Sequence, residues 1–319
     1  MKPLAGFVAC LAIAVACSGA GSQQVYEVKG TCGKSGQVEG YLIPDVPDLS
    51  QPPENRLHFR SVSNWCAPTA AADVLLFLDC IANSERAQGV VAKIDPGLGP
   101  CPAGDQLGLL ASEYLAYFMC TNGEGSADRA NSRLALPGSV FEDIGVGIEE
   151  YARWDQAHPY GRPVSDIPRK ASLDLDILAK REDGSDSCWI QTAEALKQGV
   201  PVLVCFSYWN PDLGCQDEMV FEGGSVSVTF AMWGEPISST ETLRKKDPKV
   251  PVEEWGKGAQ DGIGHAVAAV GFLVGDPDGV GSLPDTNWVV VHDNWASTPR
   301  DIAIPWDEVV GILIVQGLF

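Results

Sequence analysis

The chain has 319 residues, 45% of them hydrophobic and 20% charged, and a formal net charge of -20. That is enough apolar material for one large core or two small ones. The negative excess argues against nucleic acid or an anionic membrane surface as partner, because both repel an acidic protein.

Met1 and Lys2 precede an almost wholly apolar run from Leu4 to Ala16, which ends in the small residues Ser18 to Ser22. The run is too short to cross a bilayer and reads as a signal peptide over residues 1–21. The mature chain is therefore expected outside the cytoplasm. Ala14-Val15-Ala16 offers a cleavage site, while Cys17 directly after it also resembles the modified cysteine of a bacterial lipoprotein. These readings leave the protein either secreted or lipid-anchored at the cell envelope.

Residues 22–55 are polar and punctuated by Pro44, Pro47, Pro52 and Pro53, and read as a linker or loosely packed lead-in. The compact domain is expected over residues 56–319. From Cys66 onward, Ala70, Ala71, Val74, Leu75 and Leu78 recur at intervals of three and four residues, the mark of an amphipathic helix of about 13 residues. Cys66 and Pro68 fall in its first turn, where proline is tolerated. Further helices are expected over Asp105 to Cys120, Asp143 to Trp154, and Cys188 to Gln198, the last closed by Gly199. After Val200 the pattern changes to β-branched and aromatic runs: Pro201 to Trp209, Ser225 to Trp233, Ala266 to Val274, Trp288 to His292 and Val309 to Val315. Helices first and strands later predict an α+β fold with a cleft between its parts.

Export makes disulfides expected. Of ten cysteines, Cys10 leaves with the signal and Cys17 sits at its edge. Cys66 must be a thiol to react, and Cys205 lies in an apolar strand. Cys32, Cys80, Cys101, Cys120, Cys188 and Cys215 then form an even set able to close three bridges, with the pairing open. No zinc-ligand spacing occurs, and neither a metal nor a cofactor is expected.

A cysteine is a useful nucleophile only as a thiolate, and a helix N-terminus and a nearby imidazole both favour that form. Cys66 has the first by position, where unpaired helical amides also suit an oxyanion. His265 opens the apolar strand Ala266 to Phe272, and Asp293 follows the strand Trp288 to His292. Cys66 is thus the candidate nucleophile, His265 its base and Asp293 the group that orients the imidazole, with Trp295 shielding that contact from water. His58, His158 and His292 have no equally clear setting.

These segments carry a resemblance. Gly264-His265-Ala266-Val267-Ala268-Ala269-Val270-Gly271-Phe272 resembles the histidine strand of papain-like cysteine peptidases, and Val289 to Trp295 resembles their Asn-Ser-Trp segment. Asn64-Trp65-Cys66-Ala67-Pro68-Thr69-Ala70 is similar to the nucleophile motif of the peptidase C39-like branch. Weaker echoes lie in Phe141 to Tyr151 and Ala195 to Val202. The resemblance implies a papain-like fold, with a helical N-terminal part carrying Cys and an antiparallel sheet carrying His and Asp. It implies an exported thiol hydrolase that cleaves peptide or protein substrates through a thioester.

Two positions depart from that family. Its oxyanion-donating Gln, five or six residues before the nucleophile, is absent from Arg60 to Trp65, and losing such a donor costs about 100- to 1000-fold in turnover. Asn64 and Ser61 are the candidate replacements. Ala67 stands where Gly is usual. The missing Gln keeps open a non-catalytic module that binds peptide or cell-wall ligands, and the Cys-His-Asp order also suits a transglutaminase-like acyl transferase. Asp276 to Gly281 has calcium-type oxygen ligands without an EF-hand's spacing and reads as an acidic hairpin tip. Trp209, Trp233, Trp288 and Trp306 read as core rather than a substrate groove.

Overall fold

The computed structural model describes residues 25–31, 36–51, 65–81, 105–121, 138–153, 175–181, 186–206, 211–233, 265–279, 281, 283, 286–295 and 298–317. The expected signal peptide and Cys17 lie outside them. The first elements are strands. Tyr26–Gly30 (β1) buries Val28 between exposed Glu27 and Lys29, and Gln37–Leu42 (β2) buries Val38, Gly40 and Leu42 while exposing Gln37 and Glu39. This period of two makes one face apolar, and the strands pair antiparallel with Tyr26 opposite Leu42 and Gly30 opposite Val38. The polarity that suggests a linker here is the solvent face of a hairpin.

Eight more strands follow: Leu175–Arg181 (β3), Val202–Phe206 (β4), Pro211–Phe221 (β5), Gly224–Trp233 (β6), His265–Asp276 (β7), Thr286–His292 (β8), Ile302–Pro305 (β9) and Val309–Gly317 (β10). They form one sheet in the order β2-β1-β5-β6-β9-β8-β7-β4-β10-β3. A further pairing of β2 with β7 closes the first seven of these strands into a barrel, and β4, β10 and β3 extend the sheet beyond it. Closure pairs the β2 end of the sheet, while the extension ends at β3.

Four helices accompany the sheet among the described residues: Cys66–Ile81 (α1), Asp105–Phe118 (α2), Phe141–Arg153 (α3) and Ser187–Lys197 (α4). α1 packs against β7, β4 and α2, α3 packs against α2 and β3, and α4 packs against β7 and β10. None of them is long and apolar enough to cross a membrane. The expected α+β papain-like architecture is therefore overturned. The protein is mostly β, its first described elements are strands rather than helices, and β7, which begins at His265, and β8, which Asp293 follows, are part of a closed barrel. Period can mark a single helix or strand, but it says nothing about which strand closes on which.

β7 organises this arrangement. It is buried from His265 through Leu273. On one side it pairs with β8 from Ala268 to Gly275, with a bulge between Ala269 and Gly271. On the other side it changes partner: His265–Ala269 pairs with β4, and Gly271–Asp276 pairs with β2. The second pairing demands glycine, because a Cβ on Gly40 would lie 1.8 Å from the Phe272 carbonyl oxygen. Just past β2, the Ile43 amide donates to the Val270 carbonyl at 2.8 Å, where the two partners of β7 meet.

Candidate functional site

α1 begins where the Trp65 carbonyl accepts the Thr69 amide at 3.1 Å and the Thr69 hydroxyl at 2.7 Å. Cys66 is the first helical residue, in a turn whose amides lack intrahelical partners and whose dipole favours negative charge. It is a buried thiol, with 9% of its surface exposed. Ala67 and Ala70 lie buried beside it, and α1 packs directly on β7.

His265 opens β7 and is 8% exposed. Its Nε2 lies 3.0 Å from the backbone oxygen of Asp293. A carbonyl oxygen only accepts, so Nε2 carries the proton and Nδ1 is the basic nitrogen. The indole of Trp295 stacks on the imidazole at 5.7 Å and 29° and stays 46% exposed, which places it over the ring at the solvent side. Burial pulls the His265 pKa down from 6.5 to about 4, opposed by the bond to Asp293. The ring is therefore held neutral, the form in which it can take a proton.

The Asp293 carboxylate does not perform the task that its position in sequence suggested. Its Oδ1 accepts the Trp295 amide at 2.9 Å and the Thr298 hydroxyl at 2.6 Å. Its Oδ2 is buried with no hydrogen-bond partner in the protein. The imidazole is oriented by this residue's main chain instead. Burial raises the Asp293 pKa from 3.8 to about 6, with the Thr298 and Trp295 bonds acting in the opposite sense.

Asn294 joins the two sides. It sits at φ 63, a left-handed conformation that Asn tolerates better than most residues. Its Nδ2 donates to the Cys66 carbonyl at 3.3 Å and to the Ala266 carbonyl at 3.2 Å. A single buried amide thus ties the helix that begins at Cys66 to the strand that begins at His265. Cys66, His265, Asp293 and Trp295 are brought together. Asn64 and Ser61, like His58 and His158, lie outside the described residues.

Gln51 was not among the sequence candidates. Its amide donates to the Asn294 carbonyl at 3.0 Å and its Oε1 accepts the Trp65 amide at 3.2 Å, immediately before Cys66. No spacing marks it, since it reaches the site through a loop. Asp73, on the helix two turns after Cys66, is fully buried, and its pKa is raised well above 3.8 by burial. The remaining described histidine, His292, lies 2.8 Å from the Pro47 carbonyl through Nδ1 and 3.1 Å from Asp301 Oδ1 through Nε2.

Several other readings are resolved away from the site. Trp288 packs edge-to-face on Phe230 at 5.1 Å and Trp306 on Trp189 at 5.1 Å, so both belong to the core. Asp276 caps the Asp278 and Gly279 amides, and Asp278 caps those of Gly281 and Leu283, so these carboxylates satisfy their own turn between β7 and β8. Cys205 is a buried thiol in β4, but Cys120 and Cys188 are buried thiols too, so the expected set of bridges is not formed as a whole. Cys215 is disulfide-bonded.

No protein-family model, no curated protein and no solved structure matches this chain.

Proposed function

We propose that the protein is an exported thiol hydrolase acting on peptide or amide bonds, with Cys66 as nucleophile and His265 as general base. One observation carries the reading: the Asn294 amide spans the carbonyls of Cys66 and Ala266, which ties the start of a helix bearing a thiol to the start of a strand bearing a neutral imidazole. The reading rests on this local geometry and not on a papain-like fold.

In the proposed reaction His265 Nδ1 takes the Cys66 thiol proton as sulfur attacks the substrate carbonyl carbon. The imidazolium returns that proton to the leaving amine as the C–N bond breaks and a thioester remains. Water, deprotonated by the same imidazole, then hydrolyses the thioester. The first α1 amides and the side-chain NH2 of Gln51, whose oxygen is anchored on the Trp65 amide, are the proposed oxyanion donors. Gln51 takes the role for which Arg60 to Trp65 offers no Gln. Asp293 supports the base through its carbonyl, so its carboxylate is not a proton carrier in this scheme.

The test is alkylation by iodoacetamide across pH, with the label located by mass spectrometry. Cys66 is expected to label faster at pH 7 than an unstructured cysteine peptide and to lose that advantage in His265→Ala. Cys66→Ala is expected to abolish turnover of peptide or activated ester substrates while unfolding like the wild type. A Cys66 that labels no faster than the reference peptide, with or without His265, would overturn the assignment and leave a ligand-binding cleft as the surviving alternative.

A further inference from the structure

The segment from Val46 to Gln51 forms neither strand nor helix, yet it is fastened at close intervals. The Val46 carbonyl accepts Arg300 Nη2 at 2.7 Å, and the Pro47 carbonyl lies 2.8 Å from His292 Nδ1. The Leu49 amide donates to Asp73 Oδ1 at 3.0 Å. At its far end Gln51 bonds Asn294 through its amide and Trp65 through its side chain. Trp65 and Asp73 belong to α1 and the residue before it, whereas His292, Asn294 and Arg300 belong to the end of β8 and the turn that follows. The segment therefore bridges the elements that hold Cys66 to those that hold the His265 contacts.

We propose that Val46–Gln51 is a strap that keeps α1 in register with the turn after β8, and that Asp73 is the positioning residue which fastens the strap to the helix. Its consequence for Cys66 rests on the thiol-hydrolase reading above; the strap itself does not. Asp73 lies seven residues after Cys66, two helical turns along the same face. Its side chain is buried, with Oδ1 taken by Leu49 and Oδ2 lacking a protein partner. A charged carboxylate so placed would be costly, whereas the neutral acid keeps the Leu49 bond and loses most of that cost. Burial drives its pKa up; the Leu49 amide opposes this, the Asp48 carboxylate adds to it and Arg300 opposes it. Asp48, one of the exposed residues of the strap, also feels His292, Arg300 and Asp301, and acts on Asp293. These are the charged groups that set the protonation of the fastening.

The distinguishing pair of variants is Asp73→Asn and Asp73→Ala, read by hydrogen exchange at the Leu49 and Gln51 amides and by the pH profile of Cys66 alkylation. Asn keeps an oxygen for Leu49 and the neutral state, so both readouts are expected to match the wild type. Ala removes the acceptor, so the strap amides are expected to exchange about tenfold faster, and the Cys66 profile is expected to move toward that of an ordinary thiol. Should Asp73→Ala fail to fold, Arg300→Ala releases the Val46 end from an exposed side chain and is expected to speed the same amides. Unprotected Leu49 and Gln51 amides in the wild type, or wild-type exchange in both Asp73→Ala and Arg300→Ala, would overturn the strap. An Asp73→Asn variant that behaves like Asp73→Ala would overturn the neutral fastening. A wild-type Cys66 with ordinary reactivity above protected strap amides would instead sink the hydrolase reading and leave the strap standing.

Discussion

The two stretches of β7 differ in burial and in what they do: His265–Ala269 is buried throughout, whereas Gly271–Asp276 is buried only as far as Leu273. From Gly271 onward the strand meets β2 across a contact so close that only glycine fits, and the contact closes the barrel. From His265 to Ala269 it meets β4, lies under α1 and opens into the site. The closing half satisfies its backbone within the sheet, and the one charged side chain in it, Asp276, caps the turn that follows. The opening half leaves its end to be completed by a side chain from another element, the Asn294 amide on the Ala266 carbonyl. A buried strand can thus be held by main-chain pairing in one stretch and be completed by a side chain from another element in the next.

Breaking the closing half should have the largest effect. In Gly40→Val the new Cβ would meet the Phe272 carbonyl oxygen at 1.8 Å, a backbone atom that has nowhere to go. The strands must part, and a loss of more than about 5 kcal/mol is expected, which is beyond ordinary substitutions and would abolish cooperative unfolding in urea. A near wild-type urea midpoint would mean that β2 and β7 do not close the ring.

The opening half should break more locally. Asn294→Ala leaves two buried carbonyls short of a donor and puts alanine at a left-handed φ of 63. The combined cost is expected to be about 4 kcal/mol. Asn294→Gly relieves the backbone term alone, so it should recover about 1 kcal/mol of that loss while leaving Cys66 as slow to alkylate as in the alanine variant. Recovery of alkylation in the glycine variant would show that the turn's conformation, and not the amide, aligns the two sides.

The same contrast decides what the sequence could disclose. α1 was legible because Ala70, Ala71, Val74, Leu75 and Leu78 share one helical face, and β7 because its apolar run starts at a histidine. Cys66, His265 and Trp295 became candidates through such local settings. β1 and β2 were missed because Lys29, Glu27 and Glu39 on their outer face make an alternating hairpin resemble a polar linker. Barrel closure was illegible, since the pairing of Tyr41 with Phe272 joins residues far apart in the chain. Asp293 was assigned to the imidazole by its carboxylate because a sequence does not say whether a residue contributes its side chain or its carbonyl. Gln51 carried no signal at all, since its approach to Cys66 depends on how residues 43–51 cross the fold.

Asp293 and His265 offer a finer cut at the opening half, because burial shifts them in opposite senses. The folded protein raises Asp293 from 3.8 to about 6, so the stability that its neutral acid contributes is complete below pH 3.8 and is lost as pH rises through about 6. It lowers His265 from 6.5 to about 4, so the stability contributed by the neutral ring is complete above pH 6.5 and is lost as pH falls through about 4. Between about pH 4 and 6 the two slopes oppose one another and the wild type should change little on their account. Asp293→Asn removes only the first, since an amide oxygen still accepts from the Trp295 amide and the Thr298 hydroxyl. Relative to the wild type, the variant should gain stability as pH rises from 3.8 to 6, by at most about 3 kcal/mol, and then stay level. Urea unfolding of both proteins at a series of pH values measures the difference directly. A difference that does not vary with pH would mean that Asp293 ionises when folded as it does when unfolded, and that its second oxygen reaches water.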